Sequence, residues 1–267
     1  MAAEMSVQTP FLRLRQVCLV APQLAPVVEQ VQSIFGLPVC HRDPAVAAYG
    51  LENALFVCGH AFLEIVAPLR PGTAAGRFLQ RSGGVGGYMA IFDCDDPDQR
   101  LAQAAALGVR VAQDIRVPGY RGVQLHPRDC RATMISFDRS AGDLGLQGDY
   151  HPAGPHWQGF QRLELVRGMP GIELRSPEPE ALARHWSGLC DRPLQRDAQG
   201  RPLLAFDLGA ATFVDAAAAS DEHLSALQLE VADPAATMAA ATRAGCPADG
   251  AGFRLCGVRI DPVAGNS

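Results

Sequence analysis

Two side chains carry the types and settings that could do chemistry. Glu64 lies in the apolar run Ala61-Phe62-Leu63-Glu64-Ile65-Val66, where a carboxylate is either buried with a partner or turned into a cavity. Burial penalises the charged form and raises a carboxyl pKa, which suits the group to take a proton from carbon beside a carbonyl. His126, in Leu125-His126-Pro127-Arg128-Asp129, is a candidate acid or base near neutral pH. Arg128 and Asp129 are expected to pair locally in that turn. Side chains alternate along a strand, so Gln124 and His126 share one face and Val123 and Leu125 the other. The same rule groups Gln16 with Cys18, Phe62 with Glu64, Met89 with Ile91, and Met134 with Ser136. A cavity lined in this way is apolar with a few polar groups, Gln16, Glu64, Gln124, His126 and Ser136, which is the composition of a small-molecule pocket.

Other constellations carry less. The run Ser82-Gly83-Gly84-Val85-Gly86-Gly87 lacks the Lys-Ser/Thr of a phosphate loop and reads as a connector. The eight cysteines are dispersed, with no Cys-x-x-Cys pair, and read as reduced apolar side chains rather than a zinc site. His151 and His156 fall in a Gly/His/Pro-rich stretch that reads as a packed linker anchored by Trp157.

The elements that must position these residues repeat. Four times a β-rich run ends in a short Asp/Ser/Pro-type turn, followed by an Ala/Leu-rich helical stretch and a Gly or Cys stop. The copies begin near Val17, Ile91, Ile172 and Leu227, at a spacing that holds one helix and several strands. In the first copy a strand over 12–21 leads to a helix over 23–35. Strands around 45–51, 54–58 and 61–68 follow, with Asn53 and Gly59-His60 as turn signals, and then a helix over 72–81. The second copy predicts strand 88–93, helix 97–107, and strands near 109–117, 122–126 and 133–138. A β-α-β-β-β unit cannot bury its core alone; two paired units close a curved sheet with helices outside and a cavity within.

Composition sets the outer bounds. Of 267 residues 48% are hydrophobic and 19% charged, with a net charge of −5, which is globular and argues against nucleic acid or an anionic membrane as partner. No apolar run nears the ~20 residues of a membrane span. The first residues lack the basic and apolar regions of a signal peptide. The expectation is a cytoplasmic protein.

The order β-α-β-β-β, twice per domain, resembles the vicinal oxygen chelate superfamily, which includes glyoxalase I, bleomycin-resistance proteins, methylmalonyl-CoA epimerase and extradiol dioxygenases. Leu14-Arg15-Gln16-Val17-Cys18-Leu19-Val20 is similar to that group's opening strand, in which a His or Gln is a metal ligand. Phe62-Leu63-Glu64-Ile65-Val66-Ala67-Pro68 is similar to its fourth strand, whose Glu is a ligand. Leu125-His126-Pro127-Arg128-Asp129, leading to Met134-Ile135-Ser136-Phe137, resembles the end of an epimerase-type second module. Carried over position by position, the first two ligand places fall on Gln16 and Glu64, and the other two on Met89 and Ser136. A thioether and a neutral hydroxyl are poor partners for a hard divalent ion, so the resemblance implies a site that has lost its metal. Gly171, Val214 and Ala226 stand at the matching places of the last two copies, which implies a metal-free, structural or dimer-forming second domain.

The resemblance and the residues together give a set of expectations. The fold is α+β, with four βαβββ modules paired into two domains, at 10–140 and 161–267, joined by a linker over 141–160. The N-terminal cavity binds a small, largely apolar ligand through Gln16, Met89, Gln124 and Ser136. Glu64, aided by His126, performs acid/base chemistry without a metal or other cofactor. The alternatives are a divalent-metal-dependent isomerase, lyase or dioxygenase that uses Gln16 and Glu64 as ligands, and a non-catalytic binder of a toxin or antibiotic. The expected partner is a small molecule, with neither nucleic acid nor membrane, and the chain could form a homodimer.

Overall fold

A computed structural model describes residues 10–216 and 222–265. The first module runs β1 (Leu12–Val20), α1 (Leu24–Phe35), β2 (Val39–His41), β3 (Leu51–Cys58), β4 (Ala61–Pro68), and a further helix α2 (Ala74–Arg81) follows it. The second runs β5 (Gly87–Cys94), α3 (Pro97–Ala106), β6 (Val111–Val117), β7 (Tyr120–Leu125), the short α4 (Pro127–Cys130) and β8 (Met134–Ser140). These strands form one eight-stranded sheet in the order β2-β3-β4-β1-β5-β8-β7-β6. The remaining modules are β9 (Val166–Ser176), α5 (Pro179–Cys190), β10 (Gln195–Arg196), β11 (Pro202–Ala205), β12 (Ala210–Asp215), then β13 (His223–Val231), α6 (Pro234–Arg243), β14 (Ala248–Asp249), β15 (Gly252–Leu255) and β16 (Val258–Ala264). They repeat the pattern in a second sheet, β10-β11-β12-β9-β13-β16-β15-β14.

Each module closes by parallel pairing of its first and last strands, and the two modules of a sheet meet through antiparallel first strands, β1 with β5 and β9 with β13. The architecture is α+β, with two curled mixed sheets built from four βαβββ modules. In the second and fourth copies the repeated turn supplies a side-chain cap for the helix. Asp96 accepts from the N–H groups of Asp98 and Gln99, and Asp233 from that of Ala236, each followed by a proline at the first helical position, which satisfies otherwise orphaned donors. Gly59 turns β3 into β4 at φ 65°, and a Cβ there would lie 2.0 Å from the carbonyl oxygen of Arg167, so only glycine fits.

Two local expectations change. No strand forms over 45–51; Asp43 and Pro44 instead start a 3₁₀ turn over Pro44–Tyr49, and the second strand is the earlier Val39–His41. Asn53 lies inside β3 rather than between strands.

One apolar core joins the two sheets. Leu12, Leu14, Val17 and Leu19 of β1 share it with Ile172 and Leu174 of β9 and Leu227 and Leu229 of β13. Helix α1 packs on α6 and α3 on α5. Main-chain bonds cross between the halves, from Leu14 N–H to Leu208 O (2.8 Å) and from Gly86 N–H to Cys256 O (2.7 Å). The opposite face of the first sheet points away from this core, and the candidate chemistry lies there. Among the described residues no helix is long and apolar enough to cross a membrane.

Candidate functional site

Strand register decides which residues of the two modules are equivalent. Val17 faces Ala90, with Gln16 opposite Ile91 and Cys18 opposite Met89, so a local two-fold relates Gln16 to Met89 and Cys18 to Ile91. Cys18 lies in register with Glu64 on β4, and Ile91 with Ser136 on β8, which makes Ser136 the counterpart of Glu64. A β-bulge between Leu14 and Gln16 turns both Arg15 and Gln16 away from the shared core.

Gln16 and Glu64 meet. Glu64 is 8% exposed, and both its oxygens are held by amides: Gln16 Nε2 donates to Oε2 (2.8 Å) and Asn53 Nδ2 to Oε1 (2.8 Å). Gln16 Oε1 in turn accepts from the Tyr150 hydroxyl (3.1 Å). Burial raises the Glu64 pKa, with the bonds from Asn53, Cys18 and Gln16 pulling in the opposite direction. The Cys18 thiol is pushed far up by burial and by the Glu64 carboxylate beside it. Cys18, Met89, Ile91 and Met134 form an apolar cluster on this face, with Phe78 and Leu79 of α2 packed against it.

A second buried carboxyl is Asp138, on β8 two residues beyond Ser136 and in register with Asp93. It is 2% exposed and accepts from the hydroxyls of Ser136 (Oδ1, 2.5 Å) and Tyr120 (Oδ2, 2.5 Å). Burial raises its pKa to about 7 against the pull of those two bonds. Gln124, half-buried on β7, lies in register with Ser136.

His126 stands apart from both carboxyls. The strand ends at Leu125, and Pro127 opens α4, so His126 becomes the cap of that helix. Its Nδ1 accepts from the Arg128 N–H and faces Arg110 Nη2 at 3.3 Å. The alternation that placed it with Gln124 extends one residue past the strand. Asp129 pairs with Arg110 (2.7 Å) rather than with Arg128.

The segment after β8 covers one end of the face. The Tyr150 ring stacks on Phe62 at 4.7 Å and the Trp157 ring meets Phe62 edge-on at 5.1 Å. Arg15, 2% exposed, lies 5.3 to 5.6 Å from the centroids of the three rings, and its Nη2 donates to Leu146 O (2.7 Å). Burial lowers its pKa. Next to Tyr150 a cavity of about 550 Å³ opens between this segment, the β6–β7 turn and the end of β8, lined by His41, Asp43, Ser140, Tyr150 and His151 among others. Trp157 is 1% exposed and donates Nε1–H to Gly148 O (3.1 Å). Trp157→Ala should cost about 3–5 kcal/mol in chemical denaturation and leave Phe62 and Arg15 uncovered; a loss below about 1 kcal/mol would show that the segment does not hold the face closed.

These residues do not fit a divalent cation. Such an ion needs converging oxygen or imidazole donors. Here the Glu64 oxygens are both engaged by amides, Gln16 turns its N–H rather than its carbonyl toward Glu64, the Ser136 hydroxyl turns to Asp138, and Met89 offers a thioether. Among the described residues no three His, Cys, Asp or Glu side chains group as a metal set.

Sequence reasoning missed Asp138, Tyr120, Asn53, Arg15 and Tyr150. For Asp138 the signal was present, since the series 134, 136, 138 keeps the face of Ser136.

No protein-family profile matches the chain, and no curated protein matches it in sequence. Among solved structures, a variant of the Streptomyces coelicolor methylmalonyl-CoA epimerase in complex with 2-nitronate-propionyl-CoA is 24% identical, covering 49% of this chain and 99% of that one, with a TM-score of 0.44. A variant of the 4-hydroxymandelate synthase of the same organism is 12% identical and covers 89% of this chain and 76% of its own, with a TM-score of 0.63. A hypothetical protein from Staphylococcus aureus is 10% identical over 94% of this chain and 99% of its own, with a TM-score of 0.61. The superposition on the synthase spans all four modules, and with the module order and strand register it shows that this chain has the vicinal oxygen chelate fold in its tandem, two-sheet form.

Proposed function

We propose that the face of the first sheet bearing Glu64 binds a small, largely apolar organic molecule, and that Glu64 exchanges a proton with it without a divalent metal. The observation that carries this reading is the Glu64 carboxyl itself, almost wholly buried, fixed through both oxygens by Gln16 and Asn53 and bordered by Cys18, Met89, Ile91 and Met134. A buried carboxyl without a cationic partner is costly to keep ionised, and a raised pKa is what a group that must both take and return a proton near neutrality requires. Amide donors fix its orientation in either protonation state. Gln16, Met89, Gln124 and Ser136 supply the lining, and His126 takes no part because its ring is committed to the cap of α4.

The test runs in two stages. A panel of small ketones and aromatic carbonyl compounds is screened by ligand-induced melting shifts, and solvent-deuterium incorporation into the binders is followed by proton NMR. Glu64→Gln should leave the melting shifts in place and slow exchange by about 10²-fold or more. Unchanged exchange in that variant would remove Glu64 as the base, and exchange no faster than in protein-free solution would make the protein a binder rather than a catalyst. Metal near one equivalent per chain after purification without chelator would overturn the metal-free reading.

A further inference from the structure

The face that holds Glu64 holds a second buried acid whose surroundings have a use of their own. Among the described residues Asp138 takes its side-chain hydrogen bonds from hydroxyls alone, Ser136 at Oδ1 and Tyr120 at Oδ2. The titratable groups around it are Tyr120 on β7, Asp93 and Cys94 on β5, Glu64 on β4 and, from the segment after β8, Tyr150 and His151, whose ring stacks on Tyr120 at 4.7 Å. Arg13, Arg15 and Arg139 stand beside Asp93 and offset its charge. Ser136 is the member of the pair that stands at the counterpart position of Glu64, in register with Ile91 and Gln124.

Counting hydrogens gives two states. An ionised carboxylate accepts only, so both hydroxyl hydrogens point inward and are consumed. A protonated carboxyl brings a third hydrogen to the same two oxygens, and one hydroxyl must then accept instead of donate. The phenol is the stronger acid and keeps donating to Oδ2; the serine oxygen, the better acceptor, takes the new hydrogen, and the serine hydrogen is released. A buried group with a free donor is satisfied only by an acceptor brought to it.

We propose that Asp138 and Ser136 form a hydrogen-bond gate that makes the site prefer a ligand with a carbonyl oxygen: Ser136 donates to that oxygen when Asp138 carries a proton and withholds its hydrogen when Asp138 is ionised. This deepens the small-molecule reading above and rests on it. The Asp138 pKa of about 7 places the change of state near neutrality. In Asp138→Asn the amide N–H donates to Ser136 while the amide oxygen accepts from Tyr120, so the variant is fixed in the donating state at every pH.

The experiment uses the full chain and butan-2-one as probe, with its affinity taken from melting shifts at pH 5.5 and pH 8.5. One hydrogen bond gained corresponds to about fivefold tighter binding by the unaltered protein at pH 5.5. D138N should bind tightly at both pH values and Ser136→Ala weakly at both. A structural role for Asp138 would weaken D138N at both, and that result overturns the gate, as does equal affinity of the unaltered protein at the two pH values. Carbon-13 NMR of the Asp138 carboxyl gives a readout that needs no ligand: titration near neutrality is expected, and a carboxyl that stays in one state from pH 5 to pH 9 overturns the gate. If the ketone binds no form of the protein the gate also falls, while deuterium exchange at Glu64 still decides the site reading separately.

Discussion

Lowering the pH from 8 to 5 should raise the melting temperature of this protein by about 6–10 °C, and Asp138→Asn should remove most of that rise. The Asp138 pKa is raised by burial to about 7 against an unfolded carboxyl near 4. Between those values the folded state binds a proton that the unfolded state does not. Stability therefore grows as pH falls through 7, is complete below the unfolded value, and is lost as pH rises through the folded one. Two pH units below the folded value correspond to about 3 kcal/mol. Glu64, also raised by burial, acts in the same sense. His60 opposes it, because burial and Arg15 lower its pKa and the unfolded chain takes that proton first. The carboxyls held low by arginines, Asp98, Asp114 and Asp129, give up stability only below about pH 4. Calorimetry of the unaltered protein and D138N across pH 5–8 isolates the Asp138 contribution, and parallel curves for the two proteins would show that its carboxyl is not buried as described.

Much of the site was legible in the sequence because strand alternation is local. Gln16, Glu64, Met89 and Ser136 fall on one face as expected, since each sits mid-strand in an apolar context and the register of the four strands then aligns them. What the sequence hid depends on contacts between distant segments. Asn53 carries a turn former's propensity, yet its Oδ1 accepts from the Asp43 N–H while its Nδ2 holds Glu64, and these two bonds keep it in a strand. Arg15 joins Gln16 on one face only because of a bulge, which breaks the period that alternation relies on. His126 failed for the reverse reason, since the proline after it ends the strand that the pattern assumed would continue. Trp157 could be read as the anchor of a packed segment, but neither the face it covers nor the part Tyr150 plays beside it. Nor could four local repeats show that the two sheets share one core.

That shared core makes Trp186→Ala the substitution with the largest expected cost in stability. Trp186 on α5 is fully buried. Its ring meets Phe92 of the first sheet at 6.4 Å and Phe213 of the second at 6.0 Å, both edge-on. Its Nε1–H donates to Cys130 O, at the end of α4, over 3.0 Å. Truncation removes apolar burial from both sheets, leaves a cavity between α3 and α5 where collapse is opposed by two sheets already paired, and orphans a buried carbonyl. The expected loss is about 4–5 kcal/mol. The loss should also appear as a change in cooperativity. The unaltered chain, with one core across both sheets, should unfold in a single calorimetric transition, while W186A should split or broaden it as the sheets begin to melt independently. Arg131 and Glu222, paired across the same junction with Ser176, lie at its edge and are partly exposed, so Arg131→Ala should cost far less, about 1 kcal/mol or below. If the two substitutions cost the same, charge rather than packing holds the sheets together, and the single core inferred from the buried residues would have to be divided at that junction.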